Sequence, residues 1–69
     1  MKKEEIKTFA LKEREEITQV MLRSTEIKKG RFEGNDAEGD MYKKNEWFFI
    51  ESPSNKKQVL NGNDIILID

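Results

Sequence analysis

Apolar residues follow a helical spacing near the start of the chain. Ile6, Phe9 and Ala10 fall at i, i+3 and i+4, and the surrounding residues are mostly good helix formers without proline. The pattern predicts a helix over residues 3–16, so we assign residues 1–16 to an amino-terminal helical part. Its apolar stripe is short, and we expect the helix to need a surface on which to pack.

Residues 17–25 allow two interpretations. Every second residue from Thr18 to Leu22 is of a type that a half-buried strand places toward the core, which predicts a strand. The same segment also fits helical spacing, so the alternative is one helix that continues from residue 3 to residue 27. We favour the strand.

The second half of the chain has the texture of short strands separated by turns. Gly30 interrupts an otherwise extended segment, which is typical of a strand that bends at glycine. Residues 35–40 are polar and predict a loop, and Asn61-Gly62 is a pair typical of tight turns. The predicted strands of this half are residues 27–33, 46–51, 57–60 and 65–68.

One helix followed by five short strands predicts an α+β fold that is mainly β. A closed small barrel over residues 17–69 is the arrangement that leaves no edge strand uncovered in so short a chain. At 69 residues and 35% hydrophobic composition, the whole chain, residues 1–69, is expected to form a single domain around one core.

Two segments resemble the motifs of a known family of small barrels. Leu60–Ile68 resembles the second Sm motif, in which an aliphatic residue, a basic or asparagine-like residue and glycine precede an aliphatic strand. Val20–Leu22 followed by Gly30 and Gly34 is similar in order to the first Sm motif. The chain therefore resembles bacterial Sm-like proteins and the Sm-like Rho-binding antitermination proteins. The resemblance implies an SH3-like or Sm-like five-stranded barrel, and it places Asn61 at a position that contacts RNA in that family.

Charge and composition narrow the classes of function. The 13 basic and 14 acidic residues give a net charge of −1, so no global field attracts a polyanion. The absence of cysteine and histidine excludes disulfides, thiolate metal clusters and the commonest catalytic base. We therefore predict a non-enzymatic binding module without a cofactor or a metal ion.

The longest apolar runs are far shorter than a membrane span. Trp47–Ile50 and Ile65–Ile68 are the longest uninterrupted runs, whereas a spanning helix needs about 20 apolar residues. We expect no membrane association and a cytoplasmic location. Asp36, Glu38 and Asp40 alternate in a polar segment and are read as a solvated loop rather than a cation site.

The densest apolar segment supplies the leading functional hypothesis. Alternation along a strand sends Trp47 and Phe49 to one face and Phe48 and Ile50 to the other, so both faces need cover. The cover is the amino-terminal helix, a second subunit or a partner. We predict a regulatory or adaptor module for protein–protein interaction, with Trp47, Phe49 and Tyr42 as the partner-binding residues.

The alternative hypothesis is an Sm-like protein that binds RNA or single-stranded nucleic acid, with a homo-oligomer as a further expectation. Basic groups near aromatic side chains are typical of small barrels that grip single strands. The candidate nucleic-acid-binding residues are Lys28, Lys29, Arg31, Lys43, Lys44, Lys56, Lys57 and Asn61. Interleaved acidic residues oppose this function, because they weaken the attraction for phosphate.

Overall fold

The computed structural model describes residues 1–12, 17–34 and 36–69. The elements in chain order are α1 (Lys3–Leu11), β1 (Thr18–Leu22), β2 (Ile27–Glu33), α2 (Asp40–Lys43), β3 (Glu46–Glu51), β4 (Lys56–Asn61), a 3₁₀ turn (Gly62–Asp64) and β5 (Ile65–Ile68). The five strands form one antiparallel sheet in the order β4-β3-β2-β1-β5. The chain is a small α+β domain that is mainly β, as predicted.

Strand β1 decides between the two interpretations of residues 17–25. Thr18 and Val20 are buried, at 1% and 0% exposure, while Gln19 between them is exposed. Val20 lies opposite Lys28 on β2 and opposite Ile68 on β5. The continuous helix is therefore wrong, because β1 must send alternate residues to the core while both of its edges pair with neighbouring strands.

Helix α1 is shorter than the predicted helix. It ends at Leu11, and Lys12 already has extended backbone angles; residues 13–16 lie outside the described part of the chain. The last turn of α1 carries no basic residue, and the C-cap residue that follows it is Lys12. Ile6 and Ala10 of α1 are buried in the core, whereas Phe9 packs against it and is only partly buried.

The predicted closed barrel is replaced by an open sheet. Strands β4 and β5 are its two edges, and among the described residues no pairing joins them. The 3₁₀ turn Gly62–Asp64 connects one edge strand to the other. The core is covered by α1 instead of by closure, since Ile6 and Ala10 belong to the same buried cluster as Trp47 and Phe49. A helix that covers one face of a sheet buries the apolar surface that closure would otherwise bury.

Gly30 occupies a position where the backbones of β2 and β3 approach closely. A Cβ atom at this residue would meet the carbonyl oxygen of Ile50 and would lie 2.9 Å from the ring of Phe49. Gly30 is buried and lies between Thr18 and Glu51 in the register of the sheet. The glycine interruption in the sequence therefore marks a place where no side chain fits.

The segment predicted as a polar loop contains local structure of its own. Asp36 has a positive φ of 62°, and its carboxylate accepts a hydrogen bond from the backbone N–H of Met41 at 3.0 Å. Ala37 is buried, and the short helix α2 begins at Asp40. Asp36 thus acts locally as a turn-forming residue, which accounts for one of the alternating acidic residues.

Candidate binding surface

Helix α1 covers one face of the sheet, which we call the inner face, and does not cover the other, which we call the outer face. Residues that lie opposite each other on neighbouring strands share a face, so the register assigns each side chain to one of the two. Trp47 and Phe49 lie on the inner face, at 2% and 0% exposure, within the core. Neither side chain is available at the surface, so we do not include them in the candidate surface. Phe48 and Ile50 lie on the outer face and are half-buried.

Tyr42, the third predicted partner-binding residue, is held by contacts within the domain. Its ring lies edge-on to Trp47, with centroids 5.9 Å apart and planes 82° apart. The ammonium groups of Lys3 and Lys7 lie 4.8 Å and 5.1 Å from the centre of the same ring. Lys7 also pairs with Glu38 at 3.0 Å. These contacts attach α1 to the segment around α2, so Tyr42 has a structural role.

An asparagine network that sequence reasoning missed supports the buried tryptophan. The Trp47 Nε1–H donates to the Asn45 side-chain oxygen at 3.0 Å, and the Asn45 amide donates to the Asn63 side-chain oxygen at 3.2 Å. The backbone oxygen of Asn45 accepts from the N–H of Gly62 at 2.7 Å. Asn45 has a positive φ of 57°, a conformation that asparagine tolerates. The sequence signal for this network is an asparagine two residues before a tryptophan. This signal does not predict that the asparagine also bonds to a residue of the 3₁₀ turn.

Asn61 has a local structural partner. Its side-chain oxygen accepts a hydrogen bond from the backbone N–H of Asn63 at 2.9 Å and caps the 3₁₀ turn. A capping role of this kind is common for asparagine and needs no ligand. The contact of Asn61 with RNA stays a prediction.

The structure distributes the seven predicted basic residues over different parts of the domain. Three of them, Lys29, Arg31 and Lys57, lie on the outer face of the sheet. Lys28 and Lys56 are at positions that the register assigns to the inner face. Lys43 is the last residue of α2, and Lys44 follows it. The Lys28 ammonium group lies 3.3 Å from Glu26 and 3.8 Å from Glu51, and its side chain is only 15% exposed. The cations therefore do not form one continuous basic patch.

Charged side chains lie over Phe48 on the outer face of β3. The Lys57 ammonium group lies 4.2 Å from the centre of the Phe48 ring and 3.3 Å from the Glu33 carboxylate. Phe48 also lies directly opposite Val59. A cation on an aromatic face, held there by a carboxylate, shields that ring from a partner.

The outer face where β1, β2 and β5 meet is apolar, and large side chains on it are exposed among the described residues. Met21 lies directly opposite Ile27 on one side and opposite Leu67 on the other. Ile27 and Leu67 are each 52% exposed. We call Met21, Ile27 and Leu67 the apolar patch. Single exposed apolar side chains are ordinary, whereas a contiguous exposed group formed by three strands is the feature to consider as a candidate binding surface.

Two cations lie next to the apolar patch on the central strand β2. Lys29 and Arg31 are exposed and point to the outer face, opposite Gln19 and Ile50 respectively. In the described ranges, neither of them forms a salt bridge. The patch therefore has a charged margin, which is the composition expected around an interface core.

Residues 1–12, 17–34 and 36–69 were considered for a metal-binding cluster and for a membrane-spanning helix. No group of three or more carboxylates in this part of the chain is arranged to hold a metal ion. None of the helices described is both long enough and apolar enough to cross a bilayer.

Comparisons with known proteins give no match: no protein-family model, no curated protein and no solved structure matches this chain. The resemblance of Leu60–Ile68 to an Sm motif therefore stays a prediction.

Proposed function

We propose that this protein is a protein-binding module whose binding surface is the apolar patch. The observation that carries the proposal is the row Leu67–Met21–Ile27, in which register brings three large apolar side chains together on a face that α1 does not cover. Leu67 and Ile27 are each about half exposed. A partner that buries them gains hydrophobic free energy of about 25 cal/mol for each Å² of apolar surface removed from water.

The test is capture of partners on immobilised protein, with and without nuclease. The matched variants are Ile27→Thr with Leu67→Thr, which changes the patch, and Val59→Thr, which changes an aliphatic residue of similar exposure on β4. We expect a nuclease-resistant protein that the patch variant loses and the Val59→Thr control retains. Equal capture by both variants would contradict the placement of the surface, and loss of all capture on nuclease treatment would contradict the partner class.

Single-stranded nucleic acid is the second candidate partner. Lys29 and Arg31 favour it, because both are exposed and form no salt bridge within the described residues. Lys28 and Lys57, in contrast, are already paired with carboxylates. With so few unpaired cations on one face, we expect weak binding that declines steeply with salt. Submicromolar RNA binding at physiological salt, lost in the Lys29→Ala, Arg31→Ala double variant, would make this candidate the better one.

A further inference from the structure

The two edges of the sheet differ in how they are protected. Edge strand β4 begins with Lys56 and Lys57, both exposed, and charged residues of this kind oppose the addition of another strand. Edge strand β5, Ile65–Ile68, has no charged residue and no proline. Sheet edges without such protection are templates for further strand pairing.

Strand β5 also has backbone groups that pair with no strand among the described residues. In the described part of the chain, β1 is the only strand that pairs with it. Asp69 exchanges backbone hydrogen bonds with Gln19 of β1, at 2.9 Å and 3.1 Å, and backbone groups alternate in direction along a strand. The groups of Ile68 therefore point away from β1. At the other end, the amino group of Met1 donates to the carbonyl oxygen of Ile65 at 2.6 Å, so the free edge begins after Ile65.

The free edge is continuous with the apolar patch. Ile66 and Leu67 are half exposed on β5, and Leu67 lies opposite Met21 in the patch. A strand added next to β5 would present alternate side chains to the outer face and would extend the row Leu67–Met21–Ile27 by one position.

The charges beside β5 indicate what kind of segment would add there. Asp64 and Asp69 are exposed at its two ends, and neither forms a salt bridge in the residues that the structure describes. Phosphate would be repelled by these carboxylates. Two antiparallel copies of β5 would bring Asp64 of each copy toward Asp69 of the other, which disfavours a symmetric dimer.

We propose that β5 accepts an extended segment of a partner protein as an added strand, and that this segment carries alternate apolar side chains and a basic residue beside Asp69. The inference rests on the proposed function and specifies its partner and binding mode. Backbone hydrogen bonds to the edge supply affinity, and the apolar patch selects the alternate side chains.

A random 12-residue peptide library displayed on phage and selected on the immobilised full chain provides the probe. We expect enriched peptides with alternating apolar residues and a flanking Lys or Arg. One such peptide is then synthesised and titrated against wild type, Ile66→Lys and Val59→Lys. The last two variants introduce the same charge at residues that are each 50% exposed, one on each edge strand.

We expect Ile66→Lys to weaken binding by about tenfold or more, and Val59→Lys to leave it unchanged. Methylation of alternate backbone nitrogens of the peptide should weaken binding to a similar degree, because each methyl group removes a donor to the edge. Circular dichroism of both variants checks that they remain folded.

Three results would overturn the strand addition. If the peptides bind Ile66→Lys as tightly as wild type but do not bind Ile27→Thr, the apolar patch is a binding surface and the edge of β5 takes no part in binding. If no peptide is enriched from the library, both the strand addition at β5 and the binding of a partner by the apolar patch are contradicted. A molecular mass that rises with protein concentration, and falls back to the monomer in Ile66→Lys, would make a second copy of the chain the occupant.

Discussion

The two faces of the sheet use apolar residues in different ways. On the inner face, Phe49 is fully buried and meets Phe32 edge-on, with ring centroids 5.2 Å apart, under the cover of α1. On the outer face, Ile27 and Leu67 are half exposed and do not belong to the buried cluster to which α1 contributes. The inner apolar residues account for folding. The outer ones keep apolar surface exposed to water in the folded domain, and we propose this surface for binding.

The largest expected change in the free energy of unfolding comes from β3, where substitutions of two neighbouring residues should differ in their effect. Phe49→Ala should lower the free energy of unfolding by about 3–5 kcal/mol, because the substitution leaves a cavity in the core. Phe48→Ala should lower it by about 1–2 kcal/mol, because its ring lies half-buried on the outer face under Lys57. Urea unfolding of both variants measures the difference, and equal losses would contradict the division of the sheet into two faces.

A methyl group at the closest backbone contact should also destabilise the inner face. In Gly30→Ala the new carbon meets the backbone oxygen of Ile50, which no side-chain rotation can relieve. We expect a loss of about 2–3 kcal/mol, measured by thermal unfolding. Gln19→Ala, at an exposed position of β1, is the control and should change stability by less than about 1 kcal/mol. A Gly30→Ala variant as stable as this control would mean that β2 and β3 lie further apart than described.

The asparagine network gives a smaller, polar test of the inner face. Asn45→Gly keeps the positive φ accessible but removes the acceptor of the buried Trp47 N–H, and we expect a loss of about 2 kcal/mol. Asn45→Asp keeps an acceptor and should lose less. Chemical denaturation monitored by tryptophan fluorescence measures both. Equal losses in the two variants would show that the hydrogen bond to Trp47 is not the cause.

A substitution in the turn between β1 and β2 should increase the stability of the domain. Thr25 adopts a φ of 70° in this turn, a conformation that is unfavourable for a β-branched residue. Thr25→Gly should raise the free energy of unfolding by about 0.5–1 kcal/mol, since relief of the backbone strain exceeds the entropic cost of glycine. Thr25→Asn should also stabilise. A lower melting temperature in both variants would mean that the turn does not hold this conformation.

Local sequence patterns were sufficient to locate the strands. Strands β3 and β5 begin and end where the pattern predicts, because runs of aromatic and β-branched residues bounded by turn residues identify a strand locally. Alternation also separated Trp47 and Phe49 from Phe48, but it could not say which face would be covered. That choice depends on where α1 packs, which no local pattern encodes.

The apolar patch is a product of register. Met21, Ile27 and Leu67 are distant in sequence and become neighbours only when β1 pairs with β2 and β5 as observed. The contact of Asn45 with the 3₁₀ turn likewise joins residues that are distant in sequence and forms only in the folded domain. Sequence patterns predict elements, whereas contacts between elements require their alignment.

The central claim, that the apolar patch serves binding rather than folding, is tested most directly with the triple variant Met21→Thr, Ile27→Thr, Leu67→Thr. Threonine keeps the β propensity of these positions while it removes most of their apolar surface. The measurement is partner capture at equal concentrations of folded protein, with the folded fraction set from urea unfolding. We predict a stability loss below about 2 kcal/mol and a loss of capture. Unchanged capture by the folded variant, or a stability loss as large as that of Phe49→Ala, would contradict the claim.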